Sequence, residues 1–147
     1  MNLPDPRIVR FIKEHHVFTL ATCVENRPWC SSCYYVFLDD EVGFVITSAI
    51  ETRHIQEALA NTYVAGAIVL ESDIAGKLQG LQFEGKLRIL DQPQHNKAKV
   101  AYVKRFPLTS FVQSTFWYLE VTSLKYTDNR LIPSNKLSWK KYKPVEN

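Results

Sequence analysis

A hydroxyl pair, Thr47-Ser48, closes an apolar run, and Thr52-Arg53-His54 follows at what reads as a helix start. Those residue types in that order suit a phosphate monoester. Such a group carries roughly −1.5 to −2 charges near neutral pH. It asks for a fork of donors, and arginine supplies a planar one that is always charged. A helix N-terminus adds free N–H groups and a favourable dipole. Thr47, Ser48 and Thr52 add neutral donors, and a protonated His54 would add charge. The same residues have a plainer reading, in which Ser48 or Thr52 caps the helix and Arg53 faces water. On the residues alone, both readings stay open.

Other chemistry-bearing residues form weaker constellations. Cys23, Cys30 and Cys33 give no even disulfide framework. Cys30 and Cys33 have C-x-x-C spacing, but residues three apart on a strand point to opposite faces, which favours buried thiols over a metal or redox pair. The histidines show no i,i+4 pairing, so no metal site is expected. Asp39-Asp40-Glu41 reads as a solvated hairpin tip. Lys97, Lys99, Lys104 and Arg105 make a basic helix, and Lys136, Lys140, Lys141 and Lys143 a basic tail. Without interleaved aromatics on one strand face, these stripes read as solvated surface rather than an RNA-binding site. There is no G-x-S-x-G element, Walker loop or H-E-x-x-H.

The elements that must position the phosphate seat follow from periodicity. Asp5 before Pro6 reads as a cap for a helix carrying Ile8, Val9, Phe11 and Ile12, ending near His15-His16. Val17–Val24, Trp29–Leu38 and Val42–Ser48 read as strands separated by short turns, which demands antiparallel neighbours. Thr52–Ala60 is a short helix with Ile55 and Leu59 on one face. Tyr63–Leu70 is an apolar strand. Leu78–Leu90 alternates, with Leu81, Phe83, Leu87 and Ile89 inward and Gln82, Glu84, Lys86 and Arg88 outward. Pro93 opens a helix that ends before Pro107. Phe116–Tyr126 and Lys136–Tyr142 complete the set, with a turn at Asp128–Asn135. Six or seven antiparallel strands with flanking helices predict a mainly β domain, closed or partly closed as a barrel, with a sandwich as the alternative.

Composition agrees with one domain over residues 1–147: 46% apolar residues, 22% charged and a formal net charge of +3. No apolar window is long enough to cross a membrane, and the N-terminus lacks a signal-peptide core, so a cytoplasmic protein is expected.

The segments around the phosphate seat resemble the FMN-binding split barrels of the pyridoxamine phosphate oxidase type. Thr47 matches their strand-end Thr, and Thr52-Arg53-His54 stands where those proteins carry Ser-Arg-Lys against the flavin phosphate. Both departures keep donors and reduce permanent positive charge. The resemblance implies that backbone near Ser31, Ser32 and Cys33 lines the isoalloxazine ring. It also places Gln82, in Gln82-Phe83-Glu84-Gly85, beside the flavin. The likeness is closest to the bacterial YhbP-like branch, through Gly80–Gly85, Arg105-Phe106-Pro107 and Lys125–Asn129. In place of that branch's glycine turn stands Leu131-Ile132-Pro133-Ser134-Asn135.

The resemblance thus implies a six- or seven-stranded antiparallel Greek-key split barrel. It implies a homodimer with FMN at the subunit boundary, and electron transfer to a substrate the sequence does not name. No catalytic side chain is assigned. Among the dense aromatics Phe111, Phe116, Trp117, Tyr118, Tyr126 and Trp139, a partner's Trp117 or Trp139 is the candidate to cover the flavin. The plainer reading of each is core packing. Two competitors remain: a split barrel without catalytic activity that holds haem or another anionic ligand, and a small basic barrel for single-stranded nucleic acid. The second predicts steeply salt-dependent binding.

Overall fold

The structure is a computed structural model describing residues 2–111, 115–130 and 132–142. Leu131, Lys143 and the side chain of Phe111 lie outside the described residues. The elements run α1 (Pro6–Glu14), β1 (Val17–Val24), β2 (Arg27–Tyr34), β3 (Val36–Leu38), β4 (Gly43–Thr47), α2 (Arg53–Ala60), β5 (Tyr63–Leu70), β6 (Gln79–Ile89), α3 (Gln92–Arg105), a 3-10 turn (Pro107–Phe111), β7 (Phe116–Asp128) and β8 (Asn135–Lys140).

The eight strands form one antiparallel sheet in the order β2-β1-β5-β6-β7-β4-β3, with β8 also on β7. The return of β4 beside β7, after the β5-β6-β7 meander, is the Greek-key step. The two outer strands of that order, β2 and β3, are consecutive in the chain and meet at Tyr35. A sheet whose outer strands are covalently adjacent must curl on itself, so its two edges come together at Tyr35 as a partly open barrel. The expected single strand Trp29–Leu38 is therefore two strands. Tyr35 marks the break: its ring is fully buried and its hydroxyl donates to the Ile12 carbonyl at 2.6 Å.

Local chemistry explains the joints. Asp5 caps α1 by accepting from the Arg7 N–H at 2.8 Å, and Ile8, Phe11 and Ile12 turn inward. Glu25 and Asn26 both take positive φ (52° and 59°), giving a two-residue hairpin that brings Val24 opposite Arg27. The strand thus begins before Trp29. Pro28 is tolerated there because β2 has only one neighbour, β1. Asp91 and Gln94 form a reciprocal capping box at the start of α3.

The barrel interior is aromatic. Phe18, Phe44 and Phe83 meet with centroids 5.0 to 5.2 Å apart, and Tyr35 joins them on Phe44 at 5.0 Å. A smaller cluster outside it packs Ala98 and Tyr102 of α3 against Val36, Val45, Phe116 and Tyr118. Two expectations are corrected. Ile89 is 65% exposed, because it ends its strand with nothing packed over it. On α2, Ala58 accompanies Ile55 inward, while Leu59 is partly exposed. Among the described residues no helix is long and apolar enough to cross a membrane.

Candidate functional site

The phosphate seat forms where β4 hands over to α2. Two bonds fix the strand end to the residue just before β7: Thr47 Oγ1 and the Ser48 N–H both donate to the Thr115 carbonyl, at 3.1 and 3.2 Å. From inside, the Trp117 indole N–H donates to the Ser48 carbonyl at 2.9 Å. The loop is thus held on both flanks by β7 and the residue before it, and Trp117 pairs with Ile46.

Ser48, Thr52 and His54 converge. Ser48 Oγ lies 2.8 Å from His54 Nε2 and 3.2 Å from Thr52 Oγ1, and Thr52 Oγ1 lies 3.4 Å from the same imidazole nitrogen. Thr52 is the N-cap residue of α2, but its hydroxyl donates to the Ala49 carbonyl at 2.8 Å and makes no cap bond. The first-turn N–H groups of α2 are therefore left unclaimed by that side chain. Burial pushes the His54 pKa below its ordinary value, so near neutral pH the cluster is a set of uncharged donors and acceptors.

Arg53 supplies the charge and faces a separate set of partners. Its Nε donates to Glu57 Oε1 at 3.4 Å, and its guanidinium carbon lies 4.0 Å from the centre of the Trp29 ring. Glu57 in turn accepts from the buried Thr22 hydroxyl at 2.7 Å. Glu57 lies four residues after Arg53 on α2 and is a site residue not singled out in the sequence. Trp29 and Thr22 were not flagged there. They are cross-strand partners in the β1–β2 hairpin, and only that register brings them under α2.

The remaining candidates fall on two faces. Ser31 and Cys33 are paired with the buried Leu20 and Phe18, and Ser31 Oγ sits 3.9 Å from the Cys33 thiol. Burial raises the pKa of that thiol, against a smaller opposing effect from Ser31. Ser32 points the other way. Through the ladder Ser32–Thr19–Ala67–Gln82–Lys125 it shares the outer face with Gln82. Gln82 lines an open groove of about 400 Å³ with Ala65, Ala67, Glu84, Ser123 and Lys125. The pleat therefore sets Gln82 on the opposite side of the sheet from Thr22, Trp29 and Arg53.

Trp117 and Trp139 are corrected as covers for a ligand. They are 2% and 7% exposed, so neither ring has a free face to lay over a partner's site. Trp117 instead anchors the Ser48 loop from the core.

A small antiparallel sheet of this order, curled into a barrel with helices at its ends, defines the class of split-barrel proteins. The comparisons place the chain within it. A family model described as pyridoxamine 5'-phosphate oxidase matches residues 4–125, and the chain belongs to that family. A UPF0306 protein of Yersinia pestis is 31% identical over 99% of this chain and 100% of its own. A FAD-binding protein of Mesorhizobium loti superimposes with a TM-score of 0.67 at 13% identity, covering 91% of this chain and 93% of its own. The haem storage protein HutZ of Vibrio cholerae gives 0.66 at 18% identity, covering 82% and 91%.

Proposed function

We propose that this chain is a cytoplasmic FMN-binding flavoprotein that holds its cofactor between two copies of itself. The observation that carries the reading is the joint after β4. There Ser48, Thr52 and His54 converge, and Arg53, between Thr52 and His54 in the chain, opens α2 with its guanidinium over Trp29. These groups fit a phosphate dianion: the Ser48 hydroxyl and the helix N–H groups are there to donate, while Thr47 and Thr52 give their hydroxyl protons to the Thr115 and Ala49 carbonyls and shape the loop, and the guanidinium neutralises. When bound, the flavin supplies the electron chemistry, and the chain supplies binding and orientation.

The two-faced arrangement supports the second copy. Gln82 and Arg53 lie on opposite sides of one sheet, so a single ligand that meets both needs a second chain. The outer face suits such a partner. Tyr34, Tyr63 and Val69 are exposed there by 59%, 67% and 56%, around the flat, small Ala65 and Ala67. Exposed apolar surface of this kind is typical of a protein interface.

A second reading, a haem-binding protein of the same fold, is favoured by the neutral imidazole of His54 and by the likeness to HutZ. The visible spectrum of the purified protein separates the two, as flavin bands against a Soret band. FMN titration of Arg53→Ala then tests the seat. A charge-assisted bond is worth about 1.5–3 kcal/mol, so binding should weaken at least about tenfold. Unchanged affinity removes Arg53 from the site, and a protein that stays colourless with FMN removes the flavin reading.

A further inference from the structure

Arg53 is half exposed, yet it is held on two sides. The Trp29 ring covers one face of its guanidinium at 4.0 Å. Glu57 holds Nε, and Glu57 is itself tied down by the buried hydroxyl of Thr22. The two terminal nitrogens, Nη1 and Nη2, make no hydrogen bond to any described residue. A guanidinium grips phosphate through one edge bearing two parallel N–H bonds. The Nη1–Nη2 edge is such an edge, and it is the one left open.

We propose that Trp29 is a positioning residue for anion binding: it fixes the plane of the Arg53 guanidinium so that the Nη1–Nη2 edge is set for a phosphate ester before the ligand arrives. This rests on Arg53 being the anion ligand. The physical gain is entropic. A free surface arginine samples many rotamers and loses them when it clamps an anion, whereas a stacked one has already lost most of them. The tryptophan also leaves the charge intact, since a ring face contributes a quadrupole and no hydrogen bond. Glu57 works at the opposite edge, so its carboxylate does not compete for the open one.

The test uses inorganic phosphate as probe, followed by the phosphorus NMR signal, and the Arg53 Nε–H resonance, which reports the stack directly. In the wild-type chain that resonance should lie upfield under the indole ring and move when phosphate is added. Trp29→Leu should return it to the ordinary position and weaken phosphate binding about two- to fivefold. Trp29→Phe should restore most of the loss, and in an Arg53→Ala background Trp29→Leu should cost nothing further. Equal phosphate affinity in Trp29→Leu and wild type overturns the proposal, as does an equal loss with and without Arg53. Repeating the titration with FMN separates the two ideas. Phosphate bound at Arg53 without FMN binding overturns the flavoprotein reading and leaves the role of Trp29 standing. An Arg53 resonance that ignores phosphate overturns both.

Discussion

Replacing Thr22 by valine removes a single hydroxyl from beneath α2 and keeps the shape. Thr22 is 2% exposed, and its Oγ1 donates to Glu57 Oε2 at 2.7 Å, so the bond is short, charge-assisted and shielded. Hydrogen bonds to charged groups contribute about 1.5–3 kcal/mol, and losing the donor leaves the carboxylate with only its longer contact to Arg53. The Glu57 side chain keeps 13% exposure, so water can replace part of what is lost. That sets the expected cost near the lower end, about 1.5 kcal/mol. In urea, with a slope of about 1.5 kcal/mol/M, the unfolding midpoint should fall by about 1 M with the slope unchanged. Tryptophan fluorescence reports the transition. The same substitution in a Glu57→Leu background should cost nothing, since no carboxylate remains to be stranded. A midpoint shift below about 0.3 M, or an equal loss in both backgrounds, would refute the account of Glu57 as the tie between α2 and β1.

Stability should fall on acidification through the histidines. Burial holds both His15 and His54 below the ordinary value of about 6.5, so between their folded values and 6.5 the unfolded chain binds more protons. Their contribution is complete above about pH 6.5 and is lost as pH falls through the folded values. Melting temperatures from pH 7.5 to 5 should show this slope, and His54→Gln should flatten it. Gly66→Ala should destabilise by about 1–3 kcal/mol, because the new methyl would sit 2.2 Å from Phe83 Cζ and 2.4 Å from the Thr19 carbonyl oxygen. Calorimetry against the wild type checks it, and an unchanged melting point would disprove the close packing of β5 on β1. Among the thiols, exposed Cys30 should alkylate well before Cys33, which is buried and has a raised pKa. Peptide mapping after brief iodoacetamide treatment gives the order, and a faster Cys33 contradicts its placement.

Much of the fold was legible where pattern and burial coincide. Leu81, Phe83 and Leu87 alternate in sequence and are buried in the barrel. Asp5-Pro6 announced α1, and Pro93 marked α3 to within a residue. The break at Tyr35 was not legible, because the segment around it is continuously strand-like. Only closure of the whole sheet forces the chain to turn there. Ile89 carried the right period but ran past the edge of its cover. At the site, the residue types were legible from Thr47 to His54, whereas the Arg53–Glu57 pair, though spaced i,i+4, stood out only once Thr22 was seen beneath it. The Trp29 stack and the Thr22 tie depend on a hairpin register set by two positive-φ residues, Glu25 and Asn26, and neither has the glycine that flags such a turn. The separation of Gln82 from Arg53 was hidden because strand parity becomes a physical side only once α2 has chosen one.

β7 has consequences beyond the site. One of its flanks belongs to β6 throughout, while the other is shared: β4 takes Phe116–Glu120 and β8 takes Ser123–Asp128. The handover falls at Val121 and Thr122, whose backbone groups bond Val42 and Lys141. Strip away β8 and the second stretch becomes a bare rim of unpaired N–H and C=O groups, with Leu124 and Tyr126 uncovered beside them. Such a rim templates the docking of foreign strands. The last strand is thus a guard against edge-to-edge pairing, and its removal would lay open a template for aggregation.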